Sequence, residues 1–207
     1  MEVLLVNGSP HKEGCTYTAL CEVASALEKN GIVTEMFNIG TQPVYGCIAC
    51  GFCKTNKCCV NNDDLCNPLA ERIKAADGLV IGSPVYFSGP NGALCALLDR
   101  VFYSSSGKFK YKPAACVVSC RRGGASAAFD RLNKYFTIAQ MPVVSSQYWN
   151  SVHGFTPEDV RADLEGLQIM RTLGNNMAWM LKNIKSGSPP PEQEPKRMFS
   201  SFADGKR

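Results

Sequence analysis

The sequence lacks the features that would place it in several common classes of protein. No apolar run approaches the roughly 20 residues that a membrane-spanning helix needs. The stretch from Met1 to Pro10 contains an acid and only four consecutive apolar residues, so we expect no signal peptide and no membrane association. The net charge of +4 comes from 22 basic and 18 acidic side chains that are interspersed, so we expect no nucleic-acid partner. These absences favour a cytoplasmic protein.

Two common nucleotide-binding motifs are also missing. A P-loop needs four residues between its glycines and then Lys, whereas Gly8 and Gly14 have five between them and Cys15 follows. No Gly-x-Gly-x-x-Gly occurs. The loop from Gly8 to Thr16 nevertheless joins a short apolar strand to an amphipathic helix, and it offers the hydroxyls of Ser9 and Thr16 beside a helix N-terminus. It predicts an anion site, with a strand-to-helix turn that binds nothing as the alternative.

Strands and helices alternate along the chain five times. At 207 residues and 45% hydrophobic content, the chain is long enough for one domain with a substantial core. The predicted strands cover residues 3–6, 32–37, 78–82, 114–119 and 142–146. This pattern predicts an α/β fold, a doubly wound five-stranded parallel sheet flanked by helices. The loops 8–16, 83–87 and 119–124 all follow strands, so we expect them to meet at one edge of the sheet.

Capping residues predict where three of the helices begin. Asp63 caps one helix, Pro90 begins another, and Thr156 caps a third that runs to about Lys185. The chain then divides into a domain of residues 1–187 and a Pro-rich tail of residues 188–207. Phe199 and Phe202 lie in this tail, which either frays or docks on its own domain or on a neighbouring subunit.

Several motifs in order along the chain carry a family resemblance. They are Gly8-Ser9-Pro10 with Gly14 and Thr16, then Ser83-Pro84-Val85-Tyr86-Phe87, then Arg121-Arg122-Gly123-Gly124, and a cysteine-rich stretch. Over roughly residues 3–184 the sequence resembles the NAD(P)H-dependent FMN reductase group of the flavodoxin-like superfamily, and within it the iron-sulfur flavoproteins. The resemblance implies a flavodoxin-like fold and an FMN cofactor.

The same resemblance implies where FMN lies. Four residues surround its phosphate, namely Ser9, His11, Cys15 and Thr16, and Gly14 also belongs to the cofactor site. Four line the isoalloxazine ring: Pro84, Val85, Tyr86 and Phe87. Ser119, Gly123 and Gly124 close its pyrimidine side, and Arg122 joins them in the site. Many relatives have Asn or Ser at the position of Cys15, so the phosphate loses a side-chain donor there. Tyr86 and Phe87 could equally be core or interface aromatics.

The function that follows is that of an FMN-dependent oxidoreductase. The resemblance implies that NAD(P)H delivers electrons to FMN and that a small-molecule or protein acceptor removes them. Since the flavin carries the chemistry, no catalytic side chain is needed. It further implies a homodimer or homotetramer.

Cysteine is abundant, and its clustering is informative. Eleven cysteines in a cytoplasmic chain do not indicate a disulfide framework. Two residues separate Cys47 from Cys50 and Cys50 from Cys53, and Cys58 and Cys59 follow closely. Such short spacers suit a 4Fe-4S cluster. The spacing resembles the iron-sulfur flavoprotein motif, with Cys59 as the fourth ligand and Cys58 in reserve. Zinc or reduced thiols are the alternatives.

Two other functions compete with the reductase. Cys116 and Arg122 have the Cys-x5-Arg spacing of a tyrosine phosphatase, but Cys116 falls within a predicted strand and should be buried and protonated. An iron-sulfur flavoprotein that acts only as an electron carrier would contain the same cofactors. NAD(P)H turnover with a simple acceptor distinguishes reductase from carrier.

Overall fold

A computed structural model describes residues 1–192 of the chain, and its strands form one twisted sheet. The strands are β1 (Glu2–Asn7), β2 (Val33–Asn38), β3 (Gly78–Tyr86), β4 (Gly89–Pro90), β5 (Ala114–Cys120) and β6 (Ser151–His153). Five of them pair in parallel in the order β2-β1-β3-β5-β6, and the short β4 pairs antiparallel with the end of β3. The predicted five-stranded parallel sheet is therefore confirmed.

Helices cover both faces of this sheet. They are α1 (Cys15–Lys29), α2 (Phe52–Asn56), α3 (Cys66–Ala75), α4 (Gly92–Ser104), α5 (Ala125–Ile138), α6 (Pro157–Ala162) and α7 (Leu164–Ser186). Successive side chains of a strand point to opposite faces. In β1, Val3 and Leu5 therefore pack with α1 and α7, while Leu4 and Val6 pack with α3, α4 and α5. Within residues 1–192, no helix combines the length and apolar character needed to cross a membrane.

The fifth parallel strand lies further along the chain than predicted. The prediction of residues 142–146 is wrong, because the strand that pairs with the end of β5 is Ser151–His153. In the predicted segment only Val143 forms a β-bridge, an isolated one to Ala114 at the beginning of β5. Ala114 N donates to Pro142 O and Val144 N donates to Ala114 O, both at 2.9 Å. The next carbonyl of β5 on this side, that of Cys116, accepts from Asn150 Nδ2 at 3.0 Å, so the segment touches β5 without extending into a strand.

Two predicted helix starts are wrong by two residues. Leu65 is the N-cap of α3, and Asp63 lies outside that helix. Pro90 belongs to β4, and Asn91 is the N-cap of α4, where its side chain accepts a hydrogen bond from the helix backbone at 2.9 Å. At α3, Leu65 provides no side-chain cap, and Asp64 Oδ1 accepts from Cys66 N at 3.0 Å instead.

The C-terminal helical region is two helices rather than one. Thr156 begins α6 with a capping box, as predicted. That helix ends at Ala162, and Asp163 begins α7 by accepting a hydrogen bond from Gly166 N at 2.9 Å. Residues 188–192 have no regular structure, and the remainder of the tail, with Phe199 and Phe202, lies outside the described residues.

Candidate functional site

The loop after β1 is organised by the buried side chain of Asn7. Its Nδ2 donates to the carbonyl oxygens of His11 and Lys12 at 3.2 and 3.3 Å, and its Oδ1 accepts from Ser9 N at 3.1 Å. Ser9 Oγ in turn accepts from His11 N at 3.1 Å, which leaves the Ser9 hydroxyl hydrogen available to an added acceptor. The loop is therefore closed into a fixed ring in front of α1.

The first turn of α1 faces this ring. Its N-cap, Gly14, makes no side-chain cap hydrogen bond, so the N–H groups at the positive end of the helix are not satisfied by a cap. Burial raises the pKa of the nearby Cys15 thiol, which therefore stays protonated at neutral pH. Thr16 Oγ1 lies 2.8 Å from Ser119 Oγ, and both hydroxyls are buried. The beginning of α1 is thereby fixed to the end of β5.

Two glycines bring the first and second loops together. Gly8 N donates to the carbonyl oxygen of Gly82 at 2.8 Å. A Cβ on Gly8 would lie 2.4 Å from Leu94 Cδ2, and one on Gly82 would lie 2.8 Å from both Leu20 Cδ1 and Thr16 Cγ2. Any larger residue at either position would separate a helix from the sheet edge. These are close-approach glycines, and they fix the spacing of the two loops.

The second loop is a hairpin that presents aromatic side chains. A two-residue turn joins β3 to β4, and both of its residues, Phe87 and Ser88, have left-handed φ values of 49° and 61°. Such a turn ordinarily contains Asn and Gly. The Phe87 side chain is fully exposed and Tyr86 is 45% exposed, so neither is a core residue of this chain. The fold therefore holds a strained turn that projects an aromatic ring away from the core.

The third loop follows β5 and approaches the hairpin closely. Gly124 has a φ of 91°, and a Cβ there would lie 2.8 Å from Ser88 Cα. Arg121, Arg122 and Gly123 are exposed. Together with the contacts of Thr16 with Ser119 and of Gly8 with Gly82, this approach brings the three predicted loops to one edge of the sheet. The predicted FMN residues all lie on these loops.

Sequence reasoning missed the residue that ties the first two loops to α4. Asn91 Nδ2 donates to the carbonyl oxygen of Gly8 at 2.9 Å, and Asn91 N donates to Ser83 Oγ at 3.0 Å. The available signal is an Asn directly before the apolar pattern of α4, whereas the predicted helix start is Pro90. The contact of Gly154, directly after β6, with the first loop was also missed; its carbonyl oxygen lies 3.9 Å from Cys15 Sγ.

The cysteine stretch forms a second site, separate from the three loops. Its side chains and backbone surround a cavity of about 90 Å³. Four of the five predicted ligands line that cavity, namely Cys47, Cys50, Cys53 and Cys59, whereas Cys58 does not. Ile48, Val60 and Tyr103 contribute apolar walls. Within residues 1–192, no three His, Cys, Asp or Glu side chains are close enough to share one metal ion.

Two residues beside Cys59 were not singled out from the sequence. Arg100 of α4 is 3% exposed and also lines the cavity. Cys66 is fully buried at the beginning of α3, where burial raises the pKa of its thiol to about 12. Cys66 therefore stays protonated at neutral pH and is not a ready thiolate ligand.

The predicted environment of Cys116 is confirmed. It lies within β5, and its sulfur is 3.6 Å from the carbonyl oxygen of Phe129. Burial raises its pKa above the ordinary value, so it is not a nucleophile. The phosphatase alternative has no reactive thiolate and is wrong.

Comparisons with known proteins bear on the family and the fold. Residues 1–156 match the family model described as NADPH-dependent FMN reductase. An iron-sulfur flavoprotein of Methanocaldococcus jannaschii is 33% identical, and the alignment covers 89% of this chain and 100% of the relative. Among solved structures, RosB with a bound riboflavin-5'-phosphate intermediate superposes with a TM-score of 0.68 at 13% identity, covering 100% of this chain and 98% of that one. A WrbA-like flavodoxin of Agrobacterium tumefaciens gives 0.60 at 16% identity, covering 88% and 97%.

Proposed function

Because the chain belongs to the NADPH-dependent FMN reductase family, we propose that it binds FMN where its three loops meet and a 4Fe-4S cluster in its cysteine cavity. Family membership makes it an FMN-dependent oxidoreductase that takes its electrons from a reduced nicotinamide. When bound, FMN accepts a hydride and releases electrons singly or in pairs. The chain's own residues bind and orient that cofactor.

The first loop and the beginning of α1 are the proposed phosphate site. Its proposed donors are Ser9 and His11 of the loop and, after Gly14, the backbone N–H groups of Cys15 and Thr16. The uncapped helix N-terminus is the observation that supports this assignment most directly, since it favours an anion through both N–H groups and the helix dipole. The Thr16 hydroxyl is already paired with Ser119, so we assign the donor role of Thr16 to its backbone N–H.

The hairpin and the third loop are the proposed walls of the ring site. Pro84, Val85, Tyr86 and Phe87 would lie along the isoalloxazine. Arg122, Gly123 and Gly124 would close it from the other loop, with Ser119 behind them. The close approach of Gly124 to Ser88 supports this, because it places both walls at one opening. The exposed Phe87 ring is the largest apolar surface available there to cover a flat ligand.

Replacing Ser9 with Ala tests the phosphate site. The change removes one hydrogen bond to a charged acceptor, worth roughly 1.5 to 3 kcal/mol, so the Kd for FMN should rise by about tenfold or more. Ser25→Ala, the same change in the helix α1 that follows this loop, is the matched control and should bind FMN as the parent does. Equal affinities for the two variants, measured by fluorescence titration of apoprotein, would show that the loop is misassigned.

The cysteine cavity fits a cluster better than a single zinc ion. Zinc holds its thiolates at about 2.3 Å, which requires sulfurs about 4 Å apart around one ion. No three candidate ligands in the described part of the chain are that close together. A 4Fe-4S cluster bonds each of its four thiolates to a different iron atom, so its ligands surround a larger volume. The cavity lined by Cys47, Cys50, Cys53 and Cys59 supports that arrangement.

Adjacent cysteines provide a matched test of the cluster site. Protein prepared without oxygen should contain about four iron atoms and four sulfides per chain. Cys59→Ser should lose this iron, whereas Cys58→Ser should retain it, because of these two neighbours only Cys59 lines the cavity. Both variants should keep FMN. Parent protein that contains no iron even after anaerobic reconstitution would leave the simpler FMN reductase as the function.

The acceptor is proposed to take electrons from the cysteine site. Cys47 and Cys50 are exposed, so a cluster there would lie at the protein surface, where a one-electron protein acceptor such as a ferredoxin can approach. A cluster at the surface also suits the alternative function, a protein that only carries electrons. Rapid NAD(P)H oxidation with a small-molecule acceptor, retained in Cys59→Ser, identifies a reductase. Its absence in the parent identifies a carrier.

We further propose that the chain self-associates. Large apolar side chains remain exposed on the single chain, including Phe155 at 78%, Leu164 at 74% and Trp179 at 66%. A monomer would leave this surface in water. Light scattering of the FMN-loaded protein at micromolar concentration should give at least a dimer, and a monomer would contradict the proposal.

A further inference from the structure

A buried guanidinium lies directly against one of the cavity's four cysteines. Arg100 donates from Nε to Cys59 Sγ at 3.3 Å and from one terminal nitrogen, Nη2, to the same sulfur at 3.2 Å. The two donors form a fork on one acceptor. Neither Cys47, Cys50 nor Cys53 receives such a contact from Arg100 among the hydrogen bonds of residues 1–192.

The remaining donors of Arg100 hold both ends of the cysteine loop. Nη1 donates to Tyr45 O at 3.2 Å and contacts Asp64, and Nη2 donates to Asn61 O at 3.0 Å. Tyr45 precedes the first cysteine of the cavity and Asn61 follows the last. Asp64 forms a buried ion pair with Arg100, with both side chains 2% exposed. The guanidinium therefore keeps a fixed position relative to the Cys59 sulfur.

The backbone of Cys59 is fixed as well. Asn67 accepts from Cys59 N at 2.9 Å and donates to Cys59 O at 3.0 Å. This two-point contact sets the direction of the Cys59 side chain, so that its sulfur meets Arg100 and the cavity together. Arg100 thus holds the Cys59 side chain, and Asn67 holds its backbone.

We propose that Arg100 is a positioning residue that raises the reduction potential of the 4Fe-4S cluster through Cys59, an inference that rests on the proposed cluster. Reduction adds one electron to the cluster and breaks no bond, so the reduced form carries one more negative charge. Hydrogen bonds to a ligating sulfur and a nearby positive charge stabilise that form. Asp64 offsets part of this charge, but it contacts Nη1, whereas Cys59 contacts Nε and Nη2.

The test compares two variants that both carry the change Asp64→Asn. Removing Arg100 alone would leave a buried, unpaired carboxylate and endanger folding. Asp64→Asn is therefore compared with Arg100→Met combined with Asp64→Asn, in full-length protein reconstituted anaerobically with ferrous iron and sulfide. Iron and sulfide content is measured first, and the midpoint potential of the cluster is then measured by EPR-monitored redox titration. The double variant should have a lower midpoint potential than Asp64→Asn at equal iron content.

Two further variants keep the proposal falsifiable. Arg100→Lys retains the charge and a partner for Asp64 but loses the fork, and its potential should lie between parent and double variant. Arg131→Gln removes a surface ion pair with Asp99 and should leave the potential at the parent value. The role of Arg100 would be overturned, with the cluster assignment intact, by either of two results in iron-loaded protein. Arg100→Lys would have the same midpoint potential as the parent, or the double variant would have the same midpoint potential as Asp64→Asn. A parent that takes up no iron would overturn the cluster and this inference together.

Discussion

The turn at Phe87 allows strain and cofactor binding to be separated in one experiment. Phe87 is a bulky residue with a left-handed backbone, a conformation that costs roughly 1 to 2 kcal/mol for any residue except glycine. Phe87→Gly should relieve this cost. Glycine also gains freedom in the unfolded chain, which offsets about 0.5 to 1 kcal/mol. The variant should therefore be more stable without cofactor by about 0.5 to 1 kcal/mol, a rise in Tm of about 1 to 4 °C for a domain of this size.

Loss of the aromatic ring should have the opposite effect on FMN binding. An aromatic side chain buries roughly 150 to 250 Å² when it is fully covered. If a flat ligand covers half of the exposed Phe87 ring, about 25 cal/mol per Å² corresponds to about 2.5 kcal/mol. Part of this is offset by the cost of ordering the ring, so we expect the Kd for FMN to rise by about tenfold or more.

Gln140→Gly is the matched control for this experiment. Gln140 also has a left-handed backbone, with a φ of 58°. It follows the end of α5, where glycine is the preferred residue. It lies at the opposite end of the sheet, since its carbonyl accepts from Tyr111 N, just before β5 begins. Gln140→Gly should raise the apoprotein Tm similarly and leave FMN affinity unchanged. Thermal unfolding and fluorescence titration give both quantities, and equal FMN affinities for the two variants would refute a role of Phe87 at the flavin.

Three further changes test contacts at and around the two sites. Thr16→Val and Ser119→Ala each leave a buried hydroxyl without its partner, at a cost of about 1 to 3 kcal/mol, so a double-mutant cycle in urea should show that the two costs are less than additive. Asn91→Ala should cost about 1 to 2 kcal/mol as a lost cap and should also weaken FMN binding, whereas Thr156→Ala should cost about as much and leave FMN affinity unchanged. Burial favours protonation of Asp64, but hydrogen bonds from Arg100 and two backbone N–H groups outweigh burial and lower the pKa of this carboxyl. The ionised Asp64 should therefore stabilise the fold at pH values above the ordinary Asp pKa, and this stabilisation should be lost on further acidification. The acid limb of the stability curve should be shallower in Asp64→Asn, and an unchanged limb would contradict this.

The sequence predicted what depends on local pattern. Alternating apolar runs predicted the parallel sheet, and the order of loops at strand ends predicted which loops meet. Thr156 was predicted as a cap because its hydroxyl is followed by Pro157 at the first helical position and by acids in the first turn. The predicted fifth strand was wrong because residues 142–146 have the apolar content of a strand, whereas pairing with β5 ends after one bridge, where the side chain of Asn150 occupies the carbonyl of Cys116.

Long-range polar contacts were beyond reach of the same reasoning. Asn91 bonds Gly8 across 83 positions, and Arg100 bonds Cys59 across 41. The position of Asn91 before the apolar pattern of α4 indicates a cap, but the neighbouring sequence reveals neither its contact with Gly8 nor that of Arg100 with Cys59. The pairing of Thr16 with Ser119 is of this kind too, and it changes the interpretation of a residue that was correctly placed near the site. A hydroxyl in a predicted phosphate loop could be recognised, but not the partner that occupies it.

Helix α4 connects the two proposed sites directly. Its N-cap, Asn91, holds the first and second loops, and Arg100, nine positions along, holds Cys59. At 1.5 Å per residue the separation along the helix axis is about 14 Å. The face of α4 between these residues is buried through Leu94, Leu97 and Leu98, so the helix cannot shift without disturbing the core. One packed helix therefore fixes the position of the cysteine cavity relative to the loops of the same chain.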